Sequence, residues 1–457
     1  MDDSQVAAYI DAHADRFLNE LKELVAIPSI STLSEHRADM RRAAKWLRAQ
    51  LQQIGMQQAE VIDTAGHPLV YAEWLKAEGQ PTVLIYGHYD VQPVDPVDLW
   101  RTPPFEPTVE GDNLRGRGTV DDKGPTFATF KALEALMQTT GALPVNVKVL
   151  LEGEEEAGGA AIDAYVRANP ERLRADCALI LDTGMVDVGI PTLTYGLRGM
   201  CYFELEANGA ATDLHSGMYG GVAPNPIQAL CWVLADMKSR DGTINIPGLY
   251  EMMRPLSDEE RESFERRSPE EAQRLMAASG LQELPGEVQY SVIERATARP
   301  TFEVHGIRGG FVGEGAKTVI PATATAKVSL RLVADQQPQK VLELVQRRVA
   351  ELAVPGITFT VRDLHGGDPV TFPLDARPLA VAAKALAAEF GRPVEYERSG
   401  GSIPIAALFA TILDMPAVMM GFGLPDDNVH APNEKFYIPN FYAAIRSVAG
   451  FLQWLAN

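Results

Sequence analysis

The apolar positions of residues 4–26 and 35–54 recur with the spacing of one helix face, and Gly55 ends the second run. Alternating and continuous apolar runs follow, in the order "LVYAEW", "PTVLIYGH", a helix after Lys123, "VNVKVLLEG", a helix around 159–168, and "CALILD". Strands that alternate with helices in this way predict an α/β sheet with largely parallel central strands. Such sheets place their chemistry at the carboxyl ends of the strands. "IYGHYD", "LLEGEEE" and "LILDTG" each put polar residues there.

The pattern changes after about residue 194. A strand "GMCYFELEA", a helix near 224–238, strands "RPTFEVHGI" and "ATATAKVSLRLV", a helix near 338–352 and a strand "ITFTVRDL" follow. With the polar, helical segment 240–298 set aside, this order is βαββαβ, the plan of a small α+β domain. Beyond Pro373 the α/β style returns, with a helix over 376–390, "SIPIAALFA", "PAVMMGFG" and an amphipathic final helix. The expected organisation is a catalytic domain built from residues 1–194 and 373–457, interrupted by an inserted α+β domain over 195–372.

Composition narrows the function. The 457 residues carry 41 basic and 61 acidic side chains, a formal charge of −20, which argues against a nucleic-acid surface. No apolar run approaches the roughly 18 residues of a membrane span. The N-terminus has no basic region followed by an apolar core, so no signal peptide is expected there. Three cysteines, Cys177, Cys201 and Cys231, lack CxxC spacing and fit free thiols in a reducing cytoplasm.

Histidines and carboxylates supply the candidate chemistry. His88, Asp121, Glu156, Asp182 and His430 lie at strand ends or in loops and are all metal-ligand types. Asp90, two residues after His88, is placed to fix the imidazole tautomer, as carboxylates do beside metal-bound histidines. His13, His36 and His67 read as ordinary packed or exposed residues. "GRGTVDDKG" (116–124) is a poor phosphate loop, because its paired aspartates repel a phosphate. "GGFVGEGAKT" (309–318) misses the P-loop spacing, with Ala316 between Gly315 and Lys317.

Together, "GHYDVQPV", "GRGTVDDKGP", "EGEEEAGG", "LDTG", "DLHSGMYGG" and "VHAPNEKF" resemble the dinuclear-zinc peptidase family. That family includes the carnosinases, peptidase V, acetylornithine deacetylase, succinyl-diaminopimelate desuccinylase and aminoacylase. The forms "DLHSG", "GGSIP" and "NEKF" lean toward its carnosinase-like dipeptidase branch. The resemblance implies two divalent metal ions, zinc with manganese or cobalt as options, sharing Asp121. His88 and Asp182 would complete one site, Glu156 and His430 the other, with a cis peptide between Asp121 and Asp122. Glu155 would be the general base toward a metal-activated water, and Glu154 is expected to point to solvent.

The inserted domain would supply His215 for the oxyanion, and Thr318, Arg331, His365 and, beyond it, Ser402 for the substrate. The resemblance also implies a homodimer in which His215 serves the partner's metals. The expected activity is hydrolysis of short peptides bearing a free C-terminal carboxylate. The alternatives are an N-acyl-amino-acid deacylase or desuccinylase, and a non-catalytic metal-binding scaffold.

Overall fold

The computed structural model describes residues 3–401 and 403–457 and divides into two compact units. The first holds the chain up to Tyr195 together with Phe372–Glu397 and Leu408–Asn457; the second holds Gly196–Thr371 and Arg398–Ala407.

In the first unit a mixed sheet runs in the order Gln57–Ile62, Leu69–Trp74, Asn146–Glu152, Thr82–His88, Cys177–Ile180, Ala417–Gly421 and Thr192–Leu197. The central pairings are parallel: Thr82–His88 with Asn146–Glu152 and with Cys177–Ile180, and Cys177–Ile180 with Ala417–Gly421. The outer pairings are antiparallel. Parallel strands covered on both faces must be apolar throughout, and Val83, Leu84, Ile85, Val147, Val149, Leu150 and Leu179 are all fully buried.

The covering helices follow from their periodicity. Arg37–Ile54 buries Met40, Ala43, Ala44, Leu47, Leu51 and Ile54, one face at three- and four-residue steps, and Gly55 closes it at φ +95°. Lys123–Thr140 is buried along most of its length. The expected helix over 4–26 is in fact two, Asp3–Ala12 and Ala14–Val25. His13 sits at the break, its Nδ1 2.8 Å from the Tyr9 carbonyl oxygen, so a side chain competes for a helical acceptor. No helix among the described residues is long and apolar enough to cross a membrane.

The second unit is built on an antiparallel sheet of order Thr301–Gly309, Thr323–Leu332, Gly199–Asn208, Thr358–Gly367. Helices Pro226–Met237 and Pro338–Glu351 cover its inner face, where Phe203, Leu205, Val328, Leu330, Val233 and Val345 pack. This is the βαββαβ order read from the sequence. The segment set aside there carries the helix Asp258–Ser279, opened by a capping box between Ser257 and Glu260.

Candidate metal centre

Three neighbouring parallel strands end side by side, and the chemistry leaves from those ends. His88 is the last residue of Thr82–His88, opposite Glu152, the last residue of its neighbour. The chain then turns at Gly153 into Glu154, Glu155 and Glu156, while Asp182 follows the strand Cys177–Ile180 by two residues.

Asp121 lies at the middle of the cluster. His88 Nε2 is 3.1 Å from Asp121 Oδ1 and 3.8 Å from Asp182 Oδ2. His430 Nε2 is 2.9 Å from Asp121 Oδ2 and 3.2 Å from Glu156 Oε2. Two groups of ligand atoms result, His88–Asp121–Asp182 and Asp121–Glu156–His430, each within 4.8 Å. Atoms set tetrahedrally about an ion at roughly 2.0–2.2 Å lie about 3.3–3.6 Å apart, so the spacing suits a metal ion in each group.

Charge points the same way. Among the described residues no lysine or arginine forms an ion pair with Asp121, Glu155, Glu156 or Asp182. Oε1 of Glu156 is buried with no hydrogen-bond partner, and so is Oδ1 of the adjoining Asp122. Converging carboxylates out of water are costly unless cations join them. Burial raises Asp182 far above the usual carboxylate range, and the nearby Asp122 adds to it. Burial also pushes Glu155 up to about 7, against the His88 charge and helped by Glu156 and Asp121. Asp121 goes the other way: burial opposes, but hydrogen bonds with His430 and His88 hold it below the usual range. Its hydrogen bond with Asp121, then that with Glu156, lifts His430 to about 10. The cluster therefore gathers positive charge wherever it can, and the donor set fits two divalent ions.

Backbone contacts aim these side chains. The Asp121 loop is organised by Glu434, whose buried carboxylate accepts from Arg117 Nη1 at 2.7 Å, from the N–H of Gly118 at 2.9 Å and from that of Val120 at 3.0 Å. Gly118 has φ +83°, and a Cβ there would come within 2.5 Å of Val91 Cγ1. The Asp121–Asp122 peptide is cis. Asp122 Oδ2 accepts from the His88 N–H at 3.2 Å and from Thr126 Oγ1 at 2.7 Å, which ties the loop to the histidine strand.

Asp90 does more than orient an imidazole. Its carbonyl oxygen is 3.1 Å and its Oδ1 3.4 Å from His88 Nδ1. Its two carboxylate oxygens also accept the N–H groups of Glu155 at 3.2 Å and Glu156 at 3.1 Å. One buried carboxylate thus holds the histidine and the glutamate turn in register. Glu154 is not directed to solvent as expected, because its carboxylate accepts from the N–H of His67 at 2.7 Å and of Ala161 at 3.1 Å.

The remaining expected residues lie in the second unit. His215 ends the short strand Leu214–His215, opposite Val319; it is exposed, and its Nδ1 accepts from the Gly217 N–H at 3.1 Å. Thr318 adjoins it, its carbonyl accepting from the Ser216 N–H at 3.2 Å. Arg331 and His365 share the outer face of the sheet, with Arg331 opposite Met200 and His365 opposite Tyr202, whose ring lies 4.8 Å away. Ser402 lies outside the described residues.

Sequence reasoning misplaced Glu154 and overlooked Glu434, Arg117 and Gln92, whose Nε2 donates to Glu156 Oε2 at 2.7 Å. All four sit inside the quoted motifs. The available signal was a charged or amide residue amid glycines and metal-ligand types, where bare solvent exposure has little to offer.

Comparison with known proteins shows the family of the chain. The model of peptidase family M20/M25/M40 matches residues 84–454. The Cys-Gly metallodipeptidase of Candida albicans is 33% identical over 460 residues, covering 96% of this chain and 94% of that one. The beta-Ala-His dipeptidase of Homo sapiens is 30% identical over 477 residues, covering 99% and 92%. Among solved structures, the metallo-carboxypeptidase Sso-CP2 of Sulfolobus solfataricus superposes with a TM-score of 0.83 at 32% identity, covering 96% of this chain and 99% of that one.

Proposed function

Because the chain belongs to peptidase family M20/M25/M40, we propose that it is a metal-dependent dipeptidase cleaving short peptides with a free C-terminal carboxylate. The observation that carries this reading is the pair of ligand groups sharing Asp121, with Glu155 next to Glu156 and near enough to feel the charges of His88 and Asp121. The similarity to Cys-Gly and beta-Ala-His dipeptidases favours a dipeptide over an N-acyl amino acid.

His88 and Asp182 would hold one divalent ion and Glu156 and His430 a second, with Asp121 shared. Zinc, manganese and cobalt all suit two imidazoles and three carboxylates. Bound there, such ions supply Lewis acidity to the scissile carbonyl and to water. Glu155 takes the proton from the attacking water and delivers it to the leaving amine. Asp90 keeps His88 and the glutamate turn in place. His215 donates to the oxyanion, and Arg331 grips the substrate carboxylate with parallel hydrogen bonds. Thr318, His365 and Ser402 complete substrate binding. The region 195–372 serves as the lid and dimerisation domain of a homodimer, within the catalytic domain of 1–194 and 373–457.

A hydrolysis screen of free and amidated dipeptides and N-acyl amino acids, with zinc, manganese or cobalt, tests the reaction. Turnover of dipeptides is expected; turnover confined to N-acyl amino acids overturns the reading. The dimer has its own test. Glu155→Ala and His215→Ala proteins, inactive alone, are co-refolded in equal amounts. If His215 serves the partner's centre, about half the dimers are mixed with one intact site, and roughly a quarter of the activity returns. Activity at the parents' level, or recovery in a monomeric protein, removes that arrangement.

A further inference from the structure

The three consecutive glutamates after Gly153 do different work, and the first is the one no motif accounts for. Glu154 lies where the strand Asn146–Glu152 has ended and the turn Glu155–Ala157 begins. Its side-chain oxygens reach in two directions, Oε1 accepting from the His67 N–H at 2.7 Å and Oε2 from the Ala161 N–H at 3.1 Å. Ala161 belongs to the first turn of the helix Ala160–Ala168, whose free N–H groups favour a carboxylate. The Glu154 carbonyl accepts from Ala157 at 3.0 Å and Gly159 at 2.7 Å, so both halves of the residue hold the turn.

Gly66 is shaped for this carboxylate, since a Cβ there would collide with Glu154 Oε1. The loop it belongs to is itself fixed. His67 Nε2 lies 2.8 Å from the Ser31 carbonyl oxygen, and Tyr89 donates from its hydroxyl to the Pro68 carbonyl. Ser29 Oγ in turn donates to the Tyr89 carbonyl at 2.6 Å. Tyr89 lies between His88 and Asp90, so a chain of hydrogen bonds leaves the histidine strand, passes through residues 29–31 and 66–68, and returns through Glu154 to the glutamate turn. Asp90 holds that turn on one side and Glu154 on the other. A cavity of about 330 Å³ lined by Arg37, Arg41, Ala65–Pro68 and Glu154 lies against the second side. No packed side chain fills it to replace the carboxylate.

We propose that Glu154 is a positioning residue: its carboxylate, seated on Gly66 and bonded to His67 and Ala161, sets the aim of Glu155 and Glu156. The assignment of base and ligand to those two residues rests on the function proposed above. The clamp itself is testable through metal binding without any substrate.

The experiment compares Glu154→Ala, Glu154→Gln, Gly66→Ala and the double variant Gly66→Ala/Glu154→Ala. It measures metal retention against a chelator, kcat and KM on dipeptides, and the melting temperature. Outer-shell changes typically cost about 10- to 100-fold in metal affinity or activity. Glu154→Ala is expected to release one of two metal equivalents at about tenfold less chelator than wild type, and to lower kcat about tenfold with KM little changed. Glu154→Gln keeps one acceptor and should fall between. Gly66→Ala should reproduce the defect by displacing the carboxylate, and add nothing in the Glu154→Ala background.

Additive effects of the two changes, or folded Glu154→Ala with wild-type metal retention and kcat, overturn the proposal. So does a fall in melting temperature alone, which marks a purely structural residue. Should the wild type hydrolyse no dipeptide, the function falls while metal retention still decides the clamp.

Discussion

In the first unit Asp121, Asp122, Asp90 and Glu434 are buried or nearly so, and the last three each accept two or more hydrogen bonds from backbone or side chain. In the second unit His215, Thr318 and His365 are exposed and Arg331 half-buried, on a sheet whose inner face is an ordinary apolar core. The first arrangement fixes side chains that must meet within a few tenths of an ångström. The second, in the function proposed, would offer its side chains to a substrate. Buried polar groups are costly unless fully bonded, so a ligand cluster brings its own scaffolding with it. Exposed groups keep their hydration and need little scaffolding.

The largest test of this contrast is Glu155→Gln, expected to lower kcat by about 10²–10⁴ while metal content stays normal, because the proposed role of Glu155 is that of a base and not a ligand. Glu156→Ala should instead lower metal occupancy, read by elemental analysis. Swapped results would exchange the two roles.

Next comes the scaffold. Arg117→Ala leaves Glu434 buried without its 2.7 Å partner. Breaking such a pair costs about 3–5 kcal/mol, visible as a lower urea midpoint. Thr318→Ala, at an exposed position of the other unit, should change unfolding by about 0.5 kcal/mol or less. Equal losses in the two variants would erase the distinction between the regions.

In its proposed role Arg331 should show an effect on substrate. Amidated dipeptides are expected to be about ten- to a hundredfold poorer in kcat/KM than the free acids, the loss of one charge-assisted bond. Arg331→Ala should narrow that gap, and equal rates on both substrates with the wild type would take Arg331 out of the site.

The smallest effect asks whether the two cores are equally dry. Burial, then Asp176, pushes Cys177 up to about 12, and burial, then Asp363, does the same for Cys201. Unfolded, both thiols ionise near 9.0. The folded pKa is the higher one, so these thiols contribute full stability below pH 9 and lose it as pH rises toward 12. At pH 10 the loss is about 1 kcal/mol per thiol. At neutral pH an alkylating reagent should label Cys231, which is exposed, and spare the other two. Labelling of Cys201 before unfolding would mean that the second unit opens more readily than the first.

Much of the candidate centre was legible in the sequence because metal chemistry restricts residue types. Histidines and carboxylates at the ends of apolar runs stand out, and the parallel sheet brings such ends to one edge. His88, Asp121, Glu155, Glu156, Asp182 and His430 were all singled out, and they lie together. Glu154, Glu434 and Gln92 were not given their contacts, because what they bind is mostly backbone or a residue tens to hundreds of positions away. A carboxylate facing an N–H group leaves no mark on the partner's identity: Gly118, Val120, His67 and Ala161 supply main chain and nothing else. The break at His13 escaped for a related reason, since apolar spacing continues across it while one side chain competes for a carbonyl.

By itself, then, the sequence determined most of the larger elements, the βαββαβ plan of the second unit and the inventory of chemical groups, because periodicity and residue type are local properties. Tertiary structure alone decided where each carboxylate points: Asp90 toward two amides as well as an imidazole, Glu434 under the Asp121 loop, and Glu154 onto Gly66. The physical reason is that a buried charge takes its partner from whatever the fold brings near, and closeness in space between Gly118 and Glu434 is written nowhere in their separation along the chain.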